Sequence, residues 1–174
     1  DLNGSKCVDY KRMVKDDHEQ QLMIEASRIN DQAIHEVIHQ VSLGLSELEV
    51  AAKLGDIYSK FGGEGNSFDA IIAYGANGAN PHHENDDSRL KPGDSIIIDM
   101  GCKYQGYCSD MTRTVFYKEV SQEAKEVYEL VKAANEAAEA MIKPGVRLCD
   151  IDKTARDLIT KAGYGKEFNH RLGH

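Results

Sequence analysis

The sequence predicts an α+β fold of two related halves, each a pair of helices leading into a sheet, with the second sheet truncated. Two observations carry this. Apolar residues recur every three or four positions in 17–41 and 47–61, shift to short β-type runs at 70–74, 95–100 and 107–117, and return to helical spacing in 122–142 and 148–162. Laying residue n over residue n+101 also places Gly44, Asp56, Lys60 and Gly62 on Gly145, Asp157, Lys161 and Gly163. The apolar stripe maps the same way, with Ala26, Ile29, Ala33 and Val41 falling on Val127, Leu130, Ala134 and Ile142. The first copy is followed by 63–116, the second by 164–174, so most of a second sheet is missing.

Each element has a local cause. Residues 1–10 read as irregular. Asp16-Asp17 then offers an N-cap, with Glu19 in an acidic first turn. The helix over 17–41 presents Leu22, Ala26, Ile29, Ala33, Val37 and Val41 on one face and closes at Leu43-Gly44. Ser46 and Glu49 form a capping box for the helix over 47–61, which stops at Gly62-Gly63. Lys91-Pro92-Gly93-Asp94 is the turn that feeds the central strand. The third helix ends at Lys143-Pro144-Gly145 and the fourth at Gly163.

Composition narrows the function. With 174 residues and a formal charge of −8, the chain is one domain in length and no binder of a phosphate backbone. No run approaches the roughly 20 apolar residues of a membrane span, and no leader opens the chain, so a soluble, cytoplasmic protein is expected. Cys7, Cys102, Cys108 and Cys149 read as free thiols. A first residue of Asp1 and an ending of Arg171-Leu172-Gly173-His174 give the look of an excerpt.

His35-Glu36-Val37-Ile38-His39 matches the H-E-x-x-H pattern of zinc peptidases. On a helix at about 100° per residue, the apolar stripe spans about −20° to 100°, while His35 and His39 fall near 220° and 260°. They share the solvent face with Arg28, Asp31 and Gln32, so they are expected to bind no catalytic metal.

Asp99 and Asp110 are more telling. If the hairpin between them turns at Tyr104-Gln105, the two carboxylates oppose each other directly, and Asp99 follows three isoleucines. Like charges so placed are destabilising and costly to bury, so something positive must lie between them. A divalent ion suits paired carboxylates. A salt bridge to Arg113 is the alternative, but parity points Arg113 to the other face. His82 and His83, in the polar loop 80–87, could be surface residues or do acid/base work. His170 and His174 fall where the second sheet should begin. The glycine runs 62–65 and 75–78 match no phosphate loop and read as turns.

Asp99, ten residues, Asp110 in Ser-Asp-Met-Thr-Arg-Thr, and then His174 in His-Arg-Leu-Gly-His resemble the pita-bread metallopeptidases, more narrowly their proline dipeptidase (prolidase) and aminopeptidase P branch. The resemblance runs from about Lys11 to His174. It implies a pita-bread catalytic domain over 11–174, lacking its C-terminal part, with 1–10 the end of an interdomain linker. It also accounts for the internal repeat, because that fold is two related halves.

Carried over by residue, the resemblance makes Asp99, Asp110 and His174 metal ligands, with Asp110 bridging two ions. His82 matches a histidine that contacts the reacting carbonyl and leaving group, and His170 one that lines the substrate pocket; His83 receives no role. Two further glutamate ligands and another histidine belong downstream in the family, so the 174-residue chain alone is expected to lack turnover. The implied reaction is hydrolysis of an Xaa-Pro bond in dipeptides or at peptide N-termini by a hydroxide bridging two divalent ions. Manganese or cobalt suits such a carboxylate-rich site, and zinc stays open. A homodimer acting on peptides with proline second is implied, with no nucleic-acid or membrane partner. Two rivals are a metal-independent creatinase-like hydrolase, opposed by retention of the acidic ligands, and a peptidase-like binding module, which loss of the downstream glutamates would favour.

Overall fold

A computed structural model describes residues 2–173, in two compact units that divide between Glu119 and Val120. The first unit contains helices α1 (Leu2–Met13), α2 (Asp17–Ser42), α3 (Glu47–Ala51) and α4 (Leu54–Lys60). These are followed by strand β1 (Ile71–Tyr74), a 3-10 turn (Gly75–Ala79), and strands β2 (Ser95–Met100), β3 (Lys103–Tyr104), β4 (Tyr107–Cys108) and β5 (Met111–Phe116). The second unit is a pair of helices, α5 (Gln122–Glu139) and α6 (Leu148–Lys161). Among the described residues no helix is long and apolar enough to cross a membrane.

Residues expected to be irregular at the start are helical in α1. The described side chains of α1 from Cys7 onward are exposed, so no apolar face marks the helix in the sequence. By contrast, α2 begins where its cap predicts. Asp16 accepts the Glu19 N–H at 2.8 Å, and the Glu19 carboxylate accepts the Asp16 N–H at 2.7 Å. Ser46 and Glu49 repeat this capping box at α3. The segment over 47–61 is one helical run tightened in its middle, where the Lys53 N–H bonds to the Val50 carbonyl three residues back.

The stripe of α2 (Ala26, Ile29, Ala33, Val37 and Val41) is buried against Val50, Leu54 and Tyr58 and against the sheet face formed by Ile72, Ile96, Ile98 and Met100. One polar pair is embedded there. Asn30 donates from Nδ2 to the Met100 carbonyl at 3.0 Å and accepts from the Tyr58 hydroxyl at 2.8 Å. Burial pushes the Tyr58 phenol well above the usual tyrosine range, which keeps it a neutral donor. All four cysteines are free, and Cys102 alone is buried.

The main sheet is antiparallel in the order β1-β2-β5, with β2 central. Along β2, Ile96, Ile98 and Met100 are buried, while Ser95, Ile97 and Asp99 alternate onto a half-buried face. The run expected over 107–117 is interrupted at Ser109-Asp110, which separates β4 from β5.

The second unit reproduces the helical part of the first at the predicted offset. Glu47 and Lys60, the outer ends of α3 and α4, correspond to Leu148 and Lys161, the ends of α6. Val50, Leu54 and Tyr58 correspond to Ile151, Ala155 and Ile159, and Ala33 and Val37 to Ala134 and Ala138; all ten are buried. The stop signals match as well. Gly44 and Gly145 have φ of 78° and 86°, and Gly62 and Gly163 have φ of 91° and 97°, a conformation open to glycine.

Candidate active site

Asp99 lies on the half-buried face of central strand β2, and its cross-strand partner is Thr112, not Asp110. The register differs from the expected one by two residues because the β3–β4 hairpin turns at Gln105-Gly106. A two-residue hairpin turn of this kind needs φ > 0 at both central positions. Gln105 and Gly106 take φ of 46° and 82°, and glycine meets that demand where Tyr104 would not. A two-residue slip preserves strand parity, while the direct opposition of the two carboxylates is lost. Asp110, exposed, precedes β5 and sits two residues before Thr112, a diagonal relation to Asp99.

Thr112 fills the place the sequence assigned to Asp110, with its hydroxyl donating to Asp99 Oδ1 at 2.8 Å. Arg113 pairs in register with Ile98, whose side chain is on the core face, as parity required. The chain before Asp110 is drawn tightly against β2. The Ser109 N–H donates to the Cys102 carbonyl at 2.9 Å, and Ser67 Oγ donates to the Ser109 carbonyl at 2.9 Å. A Cβ on Gly101 would stand 2.0 Å from that Ser109 carbonyl oxygen, so only glycine fits.

His82 is exposed in the loop between the 3-10 turn and β2, its N–H capped by Asn80 Oδ1 at 3.0 Å. That loop is tied to the edge of β1. Asn85 accepts the Ile72 N–H and donates to the Ala70 carbonyl, both at 2.8 Å, standing in for a strand partner. His83 points inward to a fully buried carboxylate, Glu47, with Nε2 2.6 Å from Oε2. Glu47 also accepts the Tyr74 N–H at 2.8 Å, Asn77 Nδ2 at 2.9 Å and the Asp86 N–H at 3.1 Å.

Sequence reasoning missed this centre. Glu47 reads as an ordinary first-turn acid, and its partners lie 27 to 39 residues away. Burial, and next the negative Glu47, push the Tyr74 phenol up to about 12. Ser88 holds the Asp86 carboxyl below the usual carboxylate range. Glu47, His83 and Asp86 present ligand atoms within 4.8 Å of one another, a spacing that suits one divalent ion. Four donors nevertheless fill the roughly four lone-pair positions of the Glu47 carboxylate, so the cluster is complete as a hydrogen-bonded one.

In the second unit, His170 is exposed on a segment held by α6. The Arg156 guanidinium donates to the carbonyls of Phe168 at 2.9 Å and His170 at 3.0 Å, and stacks 4.4 Å from the Phe168 ring centroid. Asp152 pairs with Arg156 and accepts the Leu172 N–H at 2.8 Å. His174 lies outside the described residues. The His35/His39 pair is exposed on α2, and Glu36 between them turns to Gln40 and Lys60.

Comparison with known proteins agrees with this architecture. The model of metallopeptidase family M24 matches residues 21–174. An Xaa-Pro dipeptidase of Pyrococcus horikoshii is 39% identical over 94% of this chain and 46% of its own length. The solved X-Pro aminopeptidase of Thermotoga maritima superposes with a TM-score of 0.89 at 40% identity, over 92% of this chain and 46% of its own. The Pyrococcus furiosus prolidase does so with a TM-score of 0.93 at 36% identity, over 97% and 50%. The fold is thus the pita-bread fold, and the chain spans about half the length of the relatives it matches.

Proposed function

This chain belongs to metallopeptidase family M24, and on that premise we propose that the full-length protein hydrolyses the Xaa-Pro bond of dipeptides or peptide N-termini. The observation that carries the reading is Asp99 on β2, oriented by Thr112, with Asp110 two residues before Thr112. Two carboxylates in a diagonal relation, one half-buried with an oxygen already fixed by a hydroxyl, form a hard oxygen donor set that fits a divalent cation. Similarity to Xaa-Pro dipeptidases and prolidases over nearly the whole chain supports the substrate class.

In this reading residues 11–174 belong to the catalytic domain. Asp99, Asp110 and His174 would hold the divalent ions, manganese in preference to cobalt or zinc. Bound there, divalent ions supply a Lewis acid for the scissile carbonyl and lower the pKa of water toward neutrality. The chain's own groups orient the rest. Thr112 fixes the Asp99 carboxylate, His82 contacts the reacting carbonyl and the leaving nitrogen, and His170 lines the pocket for the substrate. The protein acts in the cytoplasm as a homodimer.

The test is proline release from an Xaa-Pro dipeptide by the full-length protein with excess manganese, before and after chelation. Turnover that chelation abolishes and manganese restores is expected. Asp99→Asn and Asp110→Asn should each lose both turnover and bound metal. Turnover surviving both substitutions overturns the ligand set. No proline release with metal restored overturns the activity and leaves a peptide-binding module.

A further inference from the structure

We infer that Glu47 and His83 form a positioning pair that holds His82 in place, a role resting on the function proposed for His82. His83 is 10% exposed, and Glu47 is fully buried. Oε1 of Glu47 takes the Tyr74 N–H and Asn77 Nδ2, and Oε2 takes the Asp86 N–H and His83 Nε2. Three of these contacts come from groups that can only donate, and His83 Nε2 takes the remaining position on the carboxyl. That fixes the His83 ring orientation.

The two ends of this contact belong to different parts of the first unit. Glu47 is the first residue of α3, and α3 is tied to the same loop a second time, through the Leu48 N–H to the Asp86 carbonyl at 3.1 Å. His83 directly follows His82. Between Asn80, whose side chain caps the His82 N–H and whose carbonyl accepts the His83 N–H at 3.1 Å, and Asn85, clamped to β1, the Glu47–His83 contact is a side-chain anchor of the loop's middle. A buried pair of this kind adds little stability over an apolar substitute, but it permits one arrangement of its partners. Here that arrangement places the exposed imidazole beside it.

The test uses the full-length protein loaded with manganese. Glu47→Gln turns a donor toward His83 and the Asp86 N–H, and His83→Ala removes the anchor outright. Either should lower kcat roughly 10- to 100-fold, the order expected for misplacing a catalytic group by about 1 Å. KM and metal content should stay within about twofold. His83→Gln, which restores a donor toward Glu47, should recover most of the loss. In a His82→Ala background neither change should lower kcat further. Losses that multiply with His82→Ala overturn the proposal.

Imidazole ¹⁵N–¹H spectra give a readout independent of turnover. Glu47→Gln and His83→Ala should shift or broaden the His82 resonances and leave those of His35 and His39 unchanged, with circular dichroism confirming the fold. An unmoved His82 resonance in a folded variant overturns the pair even where Xaa-Pro turnover is absent altogether. Absent turnover in the unsubstituted protein counts against the proposed function alone.

Discussion

Thr112 donates its hydroxyl hydrogen to Asp99 Oδ1 across the β2–β5 ladder at 2.8 Å. The two residues are register partners, so the contact is set by backbone pairing, not by a flexible reach. One lone pair of Asp99 is thereby committed, and the direction of the remaining ones is fixed. Removing a group that orients a ligand in this way typically costs a metal site about 10- to 100-fold in affinity.

Thr112→Val keeps the shape of the side chain and removes the donor. Metal affinity of the full-length protein should fall about 10- to 100-fold, read by titration of the ion into chelated protein. Thermal stability should change little, because residue 112 is exposed. Unaltered affinity would show that Asp99 needs no such orientation.

Gly101→Ala should damage the fold. The added methyl would meet the Ser109 carbonyl at 2.0 Å, Ser67 Oγ at 2.3 Å and the Phe68 ring at 2.8 Å. One of these is main chain and cannot rotate away, so a loss of about 1–3 kcal/mol, the range for overpacking, is expected in urea unfolding. A variant as stable as the parent would mean that Ser109 and Asp110 can retreat freely.

Asp152 links pH to the segment carrying His170. The Arg156 guanidinium first, and the Leu172 N–H second, hold its carboxyl below the usual carboxylate range. For a depressed carboxyl, the stabilising contribution is present above the ordinary value of about 3.9 and is lost as pH falls through the lower folded value. The Leu172 amide proton should therefore keep its chemical shift from neutrality down past pH ~4 and move in more acidic solution. In Arg156→Ala that midpoint should rise toward the ordinary value. An unmoved midpoint would assign the depression to the Leu172 contact.

What the sequence made legible was periodic or local. The α2 stripe and its N-cap, the capping box at Ser46 and Glu49, and the offset that pairs Gly44 with Gly145 follow from spacing alone. The strand parity around Asp99 was readable too, since it survives an error of two residues. The pairing of Asp99 with Asp110 was not, because it hung on which pair of residues accepts positive φ, and Gln105-Gly106 prevailed over Tyr104-Gln105. Glu47 with His83 was hidden for another reason. A buried carboxylate is recognised by the donors that surround it, and these converge from β1, the 3-10 turn and the following loop only after folding. Helix α1 was missed because no apolar face announces it.

The interior of the second unit consists of Ala134, Ala138, Ile151, Ala155 and Ile159 with half-buried neighbours such as Val146 and Phe168. Alanines at three of these places release little apolar area, where their counterparts in the first unit include Val37 and Leu54. Within these residues the second unit therefore gains less from apolar burial than the helical part of the first. Whatever engages it in the folded state adds RT ln(1 + [L]/Kd). Occupancy by a ligand at the segment that presents His170 therefore adds directly to the stability of the helix pair that holds it.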